Sequence, residues 1–203
     1  VRLGLLGPAN GDLAALAQAA EFLLNGAKVT RAVYLGADEA MEDTVALWAA
    51  SLVGPDASDH GMWSRAFPVA MRGTTEQLDA FLRAERARLR LKALERLPPQ
   101  ELRTVEMLGE HVAVLIHDKA LLDEEDIFSA TLLVYGKSDA ALLKPIGSRW
   151  FMTPGPVGHS GCGALVLDDS AEELVATLYD ADGRPARRER LSTRRSTKMS
   201  VQG

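Results

Sequence analysis

The first 55 residues repeat one pattern, and it restricts the fold more than any other feature. The apolar run Leu3–Leu6 stops at Gly7-Pro8-Ala9-Asn10-Gly11, and Asp12 opens a segment with Leu13, Leu16, Ala17, Ala20, Leu23 and Leu24 at helical spacing. Asn25-Gly26 ends that helix. Val29–Leu35 reads as a second strand closed by Gly36, and a second helix runs from Glu39 to about Leu52, before Gly54-Pro55. Strand, helix, strand, helix in so short a span specifies an α/β sheet with right-handed crossovers. Turns that leave such strands are where α/β proteins place their chemistry. Here the first turn carries Pro and Asn and no strong acid, base or metal ligand.

Beyond residue 55 the pattern changes. Residues 56–64 form a polar loop holding Met62 and Trp63, and Arg65–Met71 reads as a third strand, with Pro68 placing it at an edge or an end. A long helix follows from Thr75 to about Leu97, capped by Thr74, with Leu78, Phe81, Leu82, Leu89 and Leu94 as its buried stripe. The second half is rich in strands. Thr104–Leu108 and His111–His117 flank Gly109-Glu110, and Ala141–Ile146 and Arg149–Pro154 flank Gly147-Ser148, two hairpin signals. Strands over 130–136, 161–169, 173–183 and 184–191 complete a two-sheet sandwich with helices outside. One domain over 1–191 is expected, followed by a basic, flexible tail over 192–203.

Of the 203 residues 47% are apolar, enough for one full core, and no run approaches the roughly 18 apolar residues of a membrane span. Membrane insertion is therefore not expected. Cys162, the single cysteine, cannot form an internal disulfide and fits a reducing compartment. The strand pattern begins at once, so no secretory signal is read and a cytoplasmic location is expected. From Arg184 onward seven basic side chains stand against Glu189 alone, in a chain of net charge −5, so the body is acidic. No aromatic residue is interleaved among those cations, which argues against nucleic acid.

The order of the turns resembles the calcineurin-like metallophosphoesterases, in particular their small bacterial phosphodiesterase branch. Such proteins carry Asp-x-His-Gly-Asn after the first strand, where this chain has Pro8-Ala9-Asn10-Gly11-Asp12. Their Leu-Gly-Asp corresponds to Leu35-Gly36-Ala37, and their Arg-Gly-Asn-x-Asp to Arg72-Gly73-Thr74-Thr75-Glu76. Their His-Gly corresponds to His117-Asp118, their Gly-His-x-His to Gly136-Lys137-Ser138-Asp139, and their Asn-Pro-Gly-Ser to Thr153-Pro154-Gly155-Pro156. The resemblance covers about residues 1–190 and implies a metallophosphoesterase-like α/β fold, a two-sheet β-sandwich flanked by helices.

The resemblance also implies a chemistry. The family hydrolyses phosphoesters with two metal ions about 3.5–4 Å apart that clamp the phosphate and generate hydroxide. Its ligand positions fall on Pro8, Asn10, Ala37, Thr74, His117, Lys137 and Asp139. Pro8 and Ala37 offer no ligating side chain, Asn10 and Thr74 are feeble donors, and the Lys137 ammonium repels a dication. His117 keeps the ligand type and Asp139 is a possible substitute. The expectation is a vacated site with no catalytic residue, no metal and no cofactor: a pseudoenzyme kept as a protein-interaction or scaffold module, as a retromer subunit uses this fold. Three alternatives stay open: a phosphoesterase with a metal site rebuilt from Asp38 or Asp12, a pocket repaired by Lys137 pairing with Asp38 or Asp139, and a sensor of a small anion at Lys137. A protein partner or homo-oligomer is expected, with Trp63, Trp150 and Phe151 as the candidate surface. His60, His111 and His159 read as ordinary residues, Cys162 as a small buried thiol, and Asp123–Asp126 as a solvated loop or helix start rather than a calcium loop.

Overall fold

The turns singled out above find their places in a computed structural model of the chain, which describes residues 1–158, 163–170 and 172–191. Strand β1 (Arg2–Leu6) leads into helix α1 (Leu13–Glu21), then β2 (Arg31–Tyr34) into α2 (Ala40–Val53). Asp12 caps α1, its Oδ1 accepting from the Ala15 amide at 2.9 Å. The helix widens into a π turn over Phe22–Gly26, where Phe22 packs on Tyr179 with ring centroids 5.0 Å apart.

Helices α3 (Gly61–Arg72) and α4 (Thr75–Arg90) come next, then β3 (Leu94–Arg96). This corrects two sequence expectations. Arg65–Met71 is helical, and the third strand is the tail of what read as one long helix. The reason is local. Met62, Ala66 and Val69 recur at helical spacing on the less exposed side of α3, and Pro68 lies on its solvent side, where water can take the carbonyl it leaves unbonded. β3 is a short edge strand whose side chains pair with charges: Arg31 Nε donates to Glu95 at 2.8 Å, and Arg96 bonds Glu42 at 2.8 Å. Charged residues therefore hid the strand.

The second half is β4 (Arg103–Leu108), β5 (His111–Ile116), α5 (Glu124–Ser129), β6 (Leu132–Tyr135), β7 (Leu142–Ile146), β8 (Arg149–Thr153), β9 (Ala164–Asp168), β10 (Leu174–Tyr179) and β11 (Pro185–Leu191). Both expected hairpins form, with Gly109 and Gly147 at positive φ in their turns. One sheet has the order β11-β10-β9-β1-β2-β3, the other β4-β5-β6-β8-β7. β1, β2 and β3 run parallel, as do β5, β6 and β8.

Alternation along the strands divides the core. Leu3, Leu5, Val33 and Leu35 face Leu115, Leu132, Val134 and Met152 between the sheets. Leu6, Ala32 and Tyr34 face α1 and α2, against Leu16, Ala20 and Met41. Val114, Leu133 and Ala130 form a smaller layer on the far side of the second sheet. Asp123–Asp126 opens α5 through a capping box, and Asp126 is buried against Arg103 at 2.8 Å. Among the described residues no helix is long and apolar enough to cross a membrane.

Candidate functional site at the strand ends

The parallel strands of both sheets end in one place, and backbone contacts hold them there. β1 stops at Gly7, where an added Cβ would come 1.6 Å from the Gly155 carbonyl oxygen, so the turn can approach the 153–157 segment only without a side chain. The Val157 amide donates to the Pro8 carbonyl at 3.1 Å and the Gly7 amide to that of Gly163 at 3.0 Å. The Leu35 amide, at the end of β2, donates to Leu6 at 2.8 Å. Gly136, beyond β6, lies so close that a Cβ would meet the Leu35 carbonyl oxygen at 2.2 Å.

His117 closes the two sheets on each other. Its Nδ1 lies 2.8 Å from the Leu35 carbonyl oxygen, which can only accept, so Nδ1 carries the hydrogen. Its own carbonyl accepts from Lys137 at 2.7 Å and Gly136 at 3.1 Å. This imidazole thus holds β5 against β2.

Lys137 is exposed, and its Nζ lies 2.6 Å from Asp118 Oδ2. The expected pairing with Asp38 or Asp139 is replaced by this one, because Asp118 directly follows His117 and faces Lys137 across the parallel β5–β6 pair. The Lys137 ammonium and the Ala120 amide hold the Asp118 carboxyl below the ordinary carboxylate range. Asp139 is exposed in the turn beyond Ser138.

Asp38 belongs to another hydrogen-bond chain. The buried Tyr34 hydroxyl accepts from the Ala9 amide at 2.9 Å and donates to Asp38 Oδ1 at 2.8 Å. Its ring lies over Gly36, where a Cβ would meet it at 2.2 Å. Burial pushes the Tyr34 hydroxyl pKa well up, and Asp38 adds to the shift. Asn10 and Ala37 are exposed, Asn10 at φ 51° beside Gly11 at φ 90°.

Thr74 does not join this group. It caps α4, accepting from Gln77 N at 3.3 Å while the Gln77 side chain accepts from Thr74 N at 2.9 Å. Its assignment to a strand end fell with the misread third strand; β3 instead runs out at Leu97, whose amide donates to Tyr34 at 3.2 Å.

These residues do not fit a metal pair. Among the described residues no three His, Cys, Asp or Glu side chains cluster to hold an ion. Pro8 supplies only a carbonyl already bonded, Ala37 supplies no side-chain donor, His117 keeps Nε2 as a single nitrogen donor, and the Asp118 carboxylate carries an ammonium at 2.6 Å, so the donors of a metal pair are not assembled. Tyr34 and Asp118, which organise the turns, were not singled out from sequence: a tyrosine inside a strand reads as core, and the partner of Lys137 depends on strand pairing.

Of the proposed surface residues, Trp63 is exposed and lies on α3, not in a loop. Trp150 is half-buried against the inter-sheet core and Phe151 against the α5 layer, so both chiefly pack. His60 is exposed, and His111 is buried with Nδ1 3.4 Å from Thr131 Oγ1. His159, Cys162 and the tail over 192–203 lie outside the described residues.

No family model matches the chain, and no curated protein matches it. Among solved structures it is similar to vacuolar protein sorting 29 of Cryptosporidium parvum, with 14% identity, a TM-score of 0.52 and coverage of 94% of this chain and 97% of that one. A Streptococcus pneumoniae protein described as a predicted phosphoesterase aligns at 13% identity and TM-score 0.48, over 93% and 95% of the two chains. Zinc-complexed Vps29 of Entamoeba histolytica aligns at 16% identity and TM-score 0.46, over 96% and 100%. The chain thus has a metallophosphoesterase-like fold, two mixed sheets flanked by helices.

Proposed function

We propose that this chain is a catalytically inactive metallophosphoesterase-like protein that works as a protein-interaction or scaffold module. One observation carries the reading: at the strand ends the side chains that could serve chemistry are bonded to the protein itself. His117 is tied to Leu35, Asp118 to Lys137, and Asp38 to Tyr34. A dinuclear hydrolase needs free oxygen and nitrogen donors converging on one point. Here the positions that would supply them are Pro8 and Ala37, the exposed Asn10 and Asp139, the helix cap Thr74, Lys137 in an ion pair, and His117, tied through Nδ1. A fold relieved of that chemistry keeps its surfaces, and a scaffold role uses those.

The test is hydrolysis of bis(p-nitrophenyl) phosphate by the full chain loaded with excess manganese. The expected rate equals that of the buffer with manganese alone. Stoichiometric turnover that is lost in His117→Ala would assign a hydrolase. Binding of inorganic phosphate without turnover, lost in Lys137→Ala, would assign an anion sensor instead.

A further inference from the structure

Helix α3 turns its apolar side outward. Trp63, Phe67 and Met71, at i, i+4 and i+8, are 73%, 69% and 67% exposed, while Arg65, Met62 and Val69 occupy the less exposed side. Arg65 is anchored inward, Nε donating to the buried Glu85 at 2.8 Å. The helix is thus held by Arg65 together with Met62, Ala66 and Val69, and it offers the larger apolar side chains Trp63, Phe67 and Met71, with Ala70, to solvent. Exposed large apolar side chains in a contiguous row mark a contact surface.

We infer that a second copy of this chain covers this face, in a two-fold dimer whose axis passes by Phe67 with the two α3 helices antiparallel. The inference rests on the reading of the chain as an interaction module and names its partner. The stripe is self-complementary, as a two-fold interface requires. Phe67 stands mid-helix, with a large apolar residue four positions before and four after. Antiparallel pairing therefore sets Phe67 on its counterpart and each Trp63 on a Met71, a favourable sulfur–aromatic contact. Charge agrees with that direction. Asp59 is already paired with Arg88 and Lys92, but the exposed Asp56 precedes the helix and the exposed Arg72 ends it, so each Arg72 approaches the Asp56 end of the other copy. A parallel arrangement would bring like charges together. Three such side chains provide on the order of 400 Å² per copy, the core of an interface whose standard size is about 800 Å² per partner; Ser64, Ala70 and the 56–60 loop form its rim.

The experiment is sedimentation velocity of the full chain between 5 and 100 μM, with Phe67→Glu compared at each concentration. The expected species has twice the 21.9 kDa chain mass, and Phe67→Glu weakens association at least 100-fold with unchanged thermal unfolding of the monomer. A second readout uses Phe67→Cys and Leu47→Cys in a Cys162→Ser background with a short bismaleimide. Chains are joined through position 67 and not through position 47, an exposed site on α2. A monomer at 100 μM, or self-association that survives Phe67→Glu, overturns the dimer. So does a monomer that binds phosphatidylserine vesicles through Trp63, which would give the face to a lipid surface. None of these outcomes touches the inactive-site reading, which falls only if the manganese-loaded chain turns over phosphodiester.

Discussion

At the scale of single residues, the strand-end turns are held by side chains with two tasks each. The Tyr34 hydroxyl satisfies the buried Ala9 amide and fixes Asp38 at the start of α2. Tyr34→Phe strands that amide, and a loss of about 1–3 kcal/mol in urea unfolding is expected. The same bond sets a pH dependence. The Tyr34 pKa is raised above its ordinary 10.0, so above about pH 10 the unfolded chain releases this proton while the folded chain keeps it. Stability then falls as pH rises, and the difference between wild type and Tyr34→Phe shrinks over that range. Lys137→Met acts differently. The Lys137–Asp118 pair is open to water, so stability changes by less than about 0.5 kcal/mol, while the Asp118 carboxyl, followed by carbon-13 NMR titration, moves up toward its ordinary range.

At the scale of elements, the α3–α4 hairpin depends on one buried ionic group. Glu85 bonds both Arg65 and Arg88 at 2.7 Å, and Arg88 reaches Asp59 at 2.9 Å while only 5% exposed. Burial pushes the Glu85 carboxyl up, but its bonds to Arg88 and Arg65 outweigh that and hold it below the ordinary range. Glu85→Ala removes the buried carboxylate that Arg65 and Arg88 share and leaves Arg88 only Asp59 and the Ala57 carbonyl, at a cost of about 3 kcal/mol. Because α3 packs chiefly on α4, the expected result is faster trypsin cleavage within 61–90 ahead of global unfolding. Element by element, what the sequence showed and what it hid have separate causes. Strands with an apolar run, namely β1, β2, β5, β6, β9 and β10, were legible, since each buries its own side chains. The hairpin was not. In α3 the row Trp63, Phe67, Met71 points outward, the reverse of the amphipathic rule, and proline reads as an edge-strand residue. In β3 the Glu95 and Arg96 charges are satisfied by Arg31 and Glu42, partners far away in sequence.

At the scale of the whole molecule, two sheets bring the ends of β1, β2, β5 and β6 together at His117 and Leu35, and that convergence is the place where this fold can carry chemistry. The turn sequences Pro8-Ala9-Asn10-Gly11 and Leu35-Gly36-Ala37 already told which side chains are absent there; only the structure told what replaced them. An imidazole Nδ1 and a phenol hold the strand ends, and an ammonium and two carboxylates are bonded beside them. The central claim is that this place takes no metal pair, and equilibrium dialysis of the full chain against 100 μM manganese, read by elemental analysis, tests it most directly. Fewer than about 0.1 ions per chain is the expected result; two ions per chain, lost together in His117→Ala, would contradict it.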